Sequence, residues 1–388
     1  MPKVPEEWGN NFYKSGWKPG VDINDHTGQG EITHVGTDPN YNNKFDEILR
    51  QWGYDPKLYE IEGTVRSSSW QVQLKGGRTE TFFAFKGLVK KKRPGQDKYF
   101  QALFKQASRK PTLKPKTHGG DTAFLFFMAD WQLGKKDYGV ENTIKRYDIA
   151  LQDSVNRIKE LRKSGVMIDE IYMVGLGDLT ENCYGFYDSQ AFNIELTMIE
   201  QYALARSMIM KTIETFLPHA DKLTLAGVPG NHGEASRSQK GQVVTNRLDN
   251  TDTMHLQICE EIMKANPDRY NKVSVEVPDG FHQVLDIKGI TCGFSHGHMS
   301  SGSGNPENKI ENWWKGQMYG FLPAGECQIL ITGHYHHFRA KQQGDRTWFQ
   351  SPSLDKSLDF TARTGMWSHP GVLTFTVNKK GWDNLKIL

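Results

Sequence analysis

The sequence predicts an α/β domain with buried sheets, preceded by a small α+β unit, and three observations carry that expectation. Short apolar runs at 123–128, 171–176, 223–228, 290–294 and 329–331 have the length and content of buried strands. Helical stripes separate them: Leu151, Val155, Ile158 and Leu161 share one face that Gly165 can close, and a second long helix is expected over about 190–216. Ahead of residue 119 the pattern is instead a short helix and a hairpin of alternating residues.

Taken in order, the first forty or so residues are rich in Gly, Asn, Asp and Pro and read as an irregular arm. A helix is expected from Asn43, because Phe45, Ile48, Leu49 and Trp52 fall at helical spacing before Gly53. A hairpin follows, with Trp70, Val72 and Leu74 alternating against polar neighbours, a turn at Gly76-Gly77, and a Phe-rich return over 81–89. From Lys86 to Lys116 there are eleven basic residues and one acid, Asp97, interleaved with Tyr99, Phe100 and Phe104. A Lys, Pro, Thr and Gly segment over 110–120 reads as a linker. The expected division is 1–118 for the arm and small α+β domain with its basic segment, and 119–388 for the α/β domain.

At 388 residues the chain exceeds what a single hydrophobic core usually supports, which agrees with two units. A hydrophobic fraction of 37% and a charged fraction of 24% exclude disordered and fibrous classes. No stretch has the length of a membrane span and the first residues lack the apolar core of a signal peptide, so no membrane partner is expected and the expected location is the cytoplasm. Cys183, Cys259, Cys292 and Cys327 are scattered, without a C-x-x-C pair, and are expected to be reduced.

Each of the five apolar runs is followed at once by metal-ligand residue types: Asp130-Trp131-Gln132, Gly177-Asp178, Gly230-Asn231-His232, His296-Gly297-His298 and Gly333-His334-Tyr335-His336. In α/β sheets, sites form beyond the carboxyl ends of strands, where loops converge. The glycines before the ligands allow a sharp turn at the strand end. Alternate residues of an extended segment point the same way, so His334 and His336 are expected to face one centre. A lone Gly-Asp is usually a turn and a lone His-x-His usually an accident; the ordered set of motifs, each at a strand end, is what points to a metal site.

That ordered set resembles the signature of the calcineurin-like metallophosphoesterases, D-x-H, G-D, G-N-H, H and G-H-x-H, over roughly residues 119–388. The resemblance implies a double β-sandwich flanked by helices (αββα) with two divalent metal ions at its mouth. It implies that Asp130 and His336 bind the first ion, that Asp178 bridges, that Asn231, His296 and His334 bind the second, and that His232 is the acid-base histidine. Gln132 stands where that family usually has a metal-binding His. An amide oxygen is a poorer donor to zinc or iron than imidazole, so the first site is expected to be weaker and to favour Mn2+, with Zn2+, Fe or Mg2+ as alternatives.

The residues after the second motif, Leu179-Thr180-Glu181-Asn182, lack the arginine that marks Ser/Thr phosphatases of that superfamily. The 312–317, 347–352 and 368–374 stretches resemble phage-encoded phosphoesterases likened to SbcD-type DNA repair nucleases, which would act in the host cytoplasm. The basic segment with its aromatic residues has the composition that tracks a phosphate backbone and stacks bases. Arg237, Lys240, Arg247 and the Trp313-Trp314-Lys315 stretch are candidates to line a DNA groove. The expected activity is a DNA nuclease, exonuclease or endonuclease, with hydrolysis of small or cyclic nucleotides as the alternative and a metal-poor binding scaffold as a third reading that Gln132 invites. A homodimer and a separate ATPase subunit are not deducible from the residues.

Overall fold

The computed structural model describes residues 13–23, 29–40, 44–74, 77–91, 117–235, 243, 245–300, 304–356, 361–362, 365 and 367–388. The chain divides into two compact units, Met1–Ala102 and Leu103–Leu388. The expected basic segment beyond Lys91, the linker up to Lys116, and Arg237 and Lys240 lie outside the described residues.

In the first unit, β1 (Gly20–Ile23), β2 (Gln29–Gly36), β3 (Tyr59–Gln73) and β4 (Thr79–Lys91) form an antiparallel sheet in the order β1-β2-β4-β3. Helix α1 (Phe45–Gln51) lays Phe45, Ile48 and Leu49 against Ile32, Phe85 and Val89. The expected helix is therefore present, and the expected hairpin is longer than its alternation suggested. The irregular arm is corrected: it carries β1 and β2. Ile32 and Val35, the apolar residues of β2, pack into different clusters on the sheet, so no local alternation announces the strand. Its ladder with β4 holds it in place.

The second unit is a two-sheet sandwich. Strands β5 (Thr122–Met128), β6 (Ile168–Gly175), β7 (Lys222–Gly227) and β8 (Val273–Glu276) run parallel. With β9 (His282–Ile287), β10 (Ile290–Ser295), β11 (Ile329–Thr332), β12 (Arg339–Gln343), β13 (Arg346–Gln350), β14 (Leu373–Asn378) and β15 (Gly381–Ile387), the sheet orders are β15-β14-β5-β6-β7-β8 and β12-β13-β11-β10-β9. Leu125 and Phe127 of β5, Val174 of β6, Phe294 of β10, Ile331 of β11 and Phe375 of β14 share one core, which places the two sheets face to face. Each fully buried side chain of this kind contributes about 1.5–3 kcal/mol.

The period-two alternation of β5 settles what lies on its other face. Phe126 meets Tyr147 of α2 (Val140–Lys163) and Phe216 of α3 (Met198–Phe216) at ring separations of 6.1 and 5.2 Å. Helix α4 (Thr251–Lys264) packs beside α3. On the second sheet, Ile310 and Trp314 of α5 (Pro306–Tyr319) cover Leu330 and Trp348. The αββα layering expected for this fold class is thus the architecture. The second long helix starts later than expected, at Met198, because Thr197 and Glu200 close a capping box there. All four cysteines are free thiols. Among the described residues no helix is long and apolar enough to cross a membrane.

One buried group ties this core to pH. His255 on α4 is fully buried beside the Tyr202 ring, and among the described residues neither of its ring nitrogens has a hydrogen-bond partner. Burial, with Arg206 adding to it, lowers its pKa from 6.5 to about 3. The unfolded chain therefore takes up a proton near pH 6.5 that the folded one refuses until about pH 3, so this group removes stability as pH falls through that window. His255→Leu should flatten the loss of stability between pH 6.5 and 4, read from urea midpoints across pH; an unchanged pH profile would show that His255 does not contribute.

Candidate metal centre

The predicted motifs sit at the carboxyl ends of β5, β6, β7, β10 and β11 and converge. One donor atom each from Asp178, His296 and His334 lies within 4.8 Å of the others. His296 Nε2 is 3.0 Å from Asp178 Oδ2 and 3.1 Å from Asn231 Oδ1, so the Asn231 amide oxygen belongs to the same cluster. His296 Nδ1 lies 2.7 Å from the Leu176 carbonyl, which can only accept, so this nitrogen carries a proton and Nε2, on the Asp178 side, is the atom that can face a metal ion. One carboxylate, two imidazoles and an amide oxygen fit a divalent cation.

The other half is less complete. His336 Nε2 lies 3.4 Å from Asp130 Oδ1, and both Asp130 oxygens accept the His334 amide, at 3.2 and 3.1 Å. Gln132 is buried at the same loop, but its Oε1 accepts from Lys135 Nζ at 3.2 Å, and that ammonium is ion-paired to Asp355 at 2.7 Å. The pair of ions expected from the sequence thus meets two unequal half-sites.

The backbone aims these side chains through the left-handed region, at Asp130 (φ 48°), Gln132 (φ 43°), Asp178 (φ 54°), His334 (φ 73°) and His336 (φ 60°). Such angles are uncommon for residues other than glycine and cluster where function over-determines the chain. They also correct the expectation that His334 and His336 share a face through an extended segment. Each is turned inward by its own kink, His334 toward Asp178 and His336 toward Asp130. Glycine is required at Gly230, where a Cβ would lie 2.2 Å from Asp178 Oδ1, and at Gly177 (φ 86°), where it would lie 2.7 Å from Gly230.

Charge follows from this packing. For Asp178 burial works to raise the pKa, but the His296, His232 and His334 imidazoles overrule it and hold the carboxyl well below its usual range. For His296 burial works downward, and the Asp178 carboxylate raises it to about 9. Burial and the neighbouring His296 push His334 down to about 2, so its imidazole stays neutral.

His232 Nδ1 donates to the Glu181 carbonyl at 2.8 Å, which leaves Nε2 available to take or give a proton. Its ring stacks on Phe186 at 4.1 Å, and a Glu181 carboxylate oxygen lies 3.5 Å from Nδ1. The Glu181 carboxyl is fully buried, which raises its pKa despite His232 and Lys135 nearby. His232, His334, His336, Gln132, Glu181 and Lys135 all line one cleft of about 560 Å³, with Arg339 and Lys356 at the same cleft.

Two residues that sequence reasoning missed organise the loops. Asp252 accepts the backbone N–H groups of Asp178, Leu179 and Gly230 at 3.0, 3.1 and 2.9 Å, joining the second and third motifs. Burial and the Asp178 charge raise its pKa to about 6. Its signal was faint: an Asn250 cap at the start of α4, indistinguishable from ordinary helix capping. Lys135 gave no signal beyond its place after the first motif. Of the groove candidates, Trp314 is core, its indole donating to the Ala324 carbonyl at 2.8 Å, and Trp313 packs beside it; Lys315 pairs with Glu311, and Arg247 with Glu234.

No protein-family model matches the chain, and no curated protein matches it. Among solved structures it is similar to a predicted phosphoesterase from Streptococcus pneumoniae TIGR4, 12% identical, covering 70% of this chain and 91% of that one at a TM-score of 0.30. It is similar to a structure described as a novel archaeal phosphodiesterase, 13% identical, covering 68% and 99% at 0.29. Vps29 complexed with zinc, from Entamoeba histolytica, is 11% identical, covering 68% and 98% at 0.29.

Asp252→Ala should leave the fold intact by circular dichroism yet weaken divalent-ion affinity by about 10- to 100-fold, since the ligand loops lose their shared acceptor. Titration calorimetry against Mn2+ measures this, and unchanged affinity would remove Asp252 from the centre.

Proposed function

We propose that the chain is a divalent-metal-dependent phosphodiesterase of the calcineurin-like metallophosphoesterase superfamily, and that its substrate is DNA. The observation that carries the reaction class is the Asp178–His296–His334 donor cluster, whose His334 lines the same cleft as the Glu181-backed His232. Asp178, Asn231, His296 and His334 would hold a cation, with Asp130 and His336 beside them. A bound divalent cation supplies a Lewis acid for a phosphoryl oxygen and lowers the pKa of water towards neutrality.

The chain's own residues do the rest. His232, with Nδ1 fixed on the Glu181 carbonyl, presents Nε2 to the cleft and can protonate the departing alkoxide. The Glu181 carboxyl near Nδ1 stabilises the imidazolium form when ionised, and the stacked Phe186 ring fixes the imidazole plane. Lys135, Arg339 and Lys356 give the cleft cationic groups for an anionic substrate. DNA as the substrate is supported by the basic and aromatic composition of 86–116. Small or cyclic nucleotides remain the alternative within the same chemistry.

Asp178→Ala should lose bound metal and turnover together, whereas His232→Ala should keep the metal and lose about 10²- to 10⁴-fold in kcat on diesters with poor leaving groups. The assay is a Mn2+-dependent panel of single-stranded DNA, duplex DNA, RNA, cyclic nucleotides and a phosphomonoester, with Asp178→Ala as the blank. A His232→Ala enzyme as fast as wild type would remove the acid-base assignment. DNA cleavage should fall steeply with added salt, and neutralising Lys105, Arg109 and Lys110 to Gln should reduce that slope. Hydrolysis of cyclic nucleotides with DNA left uncut would establish the small-substrate reading instead.

A further inference from the structure

Resting on the metal-centre reading above, we propose that the centre holds a single divalent ion, at Asp178, Asn231, His296 and His334, and that the Lys135 ammonium takes the electrostatic place of a second. The two halves of the cleft differ in their donors. Among the described residues, one group of three or more acid, imidazole or thiol side chains converges closely enough to hold an ion, and it is the Asp178 group. On the other side, Asp130 and His336 meet each other, the two Asp178 oxygens are met by the His232 amide at 2.7 Å and the His296 imidazole at 3.0 Å, and Gln132 Oε1 is already the acceptor of Lys135 Nζ at 3.2 Å.

Lys135 is not a mobile surface cation. Its side chain is 14% exposed and is anchored on Asp355, whose side chain is 2% exposed, at 2.7 Å. The ammonium is therefore held against the oxygen that a first ion would need. An ion bound to Gln132 Oε1 at a usual distance of about 2.1 Å would lie within about 5.3 Å of Lys135 Nζ, the sum of that bond and the 3.2 Å hydrogen bond. A divalent ion and an ammonium so close in a buried cleft repel strongly, and Asp355, the anion that offsets the ammonium, is already paired with it.

The same placement lets Lys135 work on the substrate. Its ammonium lines the cleft with His232 and His334, where it can neutralise a phosphoryl oxygen as a point charge. It thereby supplies charge without Lewis acidity, and the one ion supplies both.

Metal stoichiometry tests this independently of turnover. Metal-free wild type equilibrated with Mn2+ should take up one ion per chain by elemental analysis and give the hyperfine sextet of an isolated Mn2+ in electron paramagnetic resonance. Lys135→Met should take up a second ion and show exchange coupling between the two. Lys135→Gln serves the same purpose should the methionine variant fail to fold, which thermal melting reveals.

Two ions of comparable affinity in wild type would overturn the proposal. So would a single ion persisting in folded Lys135→Met and Lys135→Gln. Wild type that binds no ion would overturn both this proposal and the metal-centre reading beneath it. One ion with the sextet, followed by a second in the variants, upholds the single-ion centre even if no diester in the panel is cut, in which case the functional reading alone fails.

Discussion

The Asp178 carboxylate is 1% exposed at the end of a buried strand, and its charge has to be answered from within the protein. Leaving such a charge unpaired costs several kcal/mol. The answers arrive from separate parts of the chain: the His232 amide at 2.7 Å on one oxygen and the His296 imidazole at 3.0 Å on the other. Its own backbone N–H is taken by Asp252. The loops after β6, β7 and β10 are thus gathered around one anion. A site that gathers donors around an anion in this way also has the donor types a cation needs, because imidazoles can exchange a proton for a metal.

The conformational cost of this gathering falls on a few residues. Asp130, Gln132, Asp178, His334 and His336 adopt backbone angles that residues other than glycine avoid. The sandwich beneath them, with Phe127 in ring contact with Phe294 at 6.2 Å and with Phe375 at 5.3 Å, supplies the stability that keeps those angles in place. The helices do the same from outside: Gln201 of α3 accepts from the Asn182 amide at 2.8 Å and donates to the Asn182 carbonyl at 3.1 Å, fixing the segment that leads to Phe186.

Much of this was legible in the residues. The apolar runs that became β5, β6, β7, β10 and β11 are buried on both faces, so each reads as a continuous apolar stretch whatever its neighbours are. The ligand types that follow them could be read for the same reason, since strand ends fix where side chains converge. β2 was missed because its strand character comes from β4, far along the chain, and its side chains divide between two small cores; β1 was missed with it, as the edge strand that pairs with β2. Asp252 and Lys135 were missed because a capping-type aspartate and a loop lysine look the same whether they face solvent or a buried carboxylate. The kinks at His334 and His336 could not be foreseen either, because nothing in Gly-His-Tyr-His distinguishes an extended segment from a left-handed one.

The loops that follow β5 and β6 do not part company when the strands end. Asp130, Gln132 and Leu133 donate their amides to the carbonyls of Gly177, Asp178 and Leu179 at 3.1, 3.0 and 3.1 Å, and Glu181 returns one to Leu133 at 3.0 Å. The ladder of the sheet is carried onward through both motifs. These amides are therefore bound into the same hydrogen-bonded ladder as the interior of the sandwich. Adaptation to a different substrate would have to come from the rim of the cleft, since its floor belongs to the sheet.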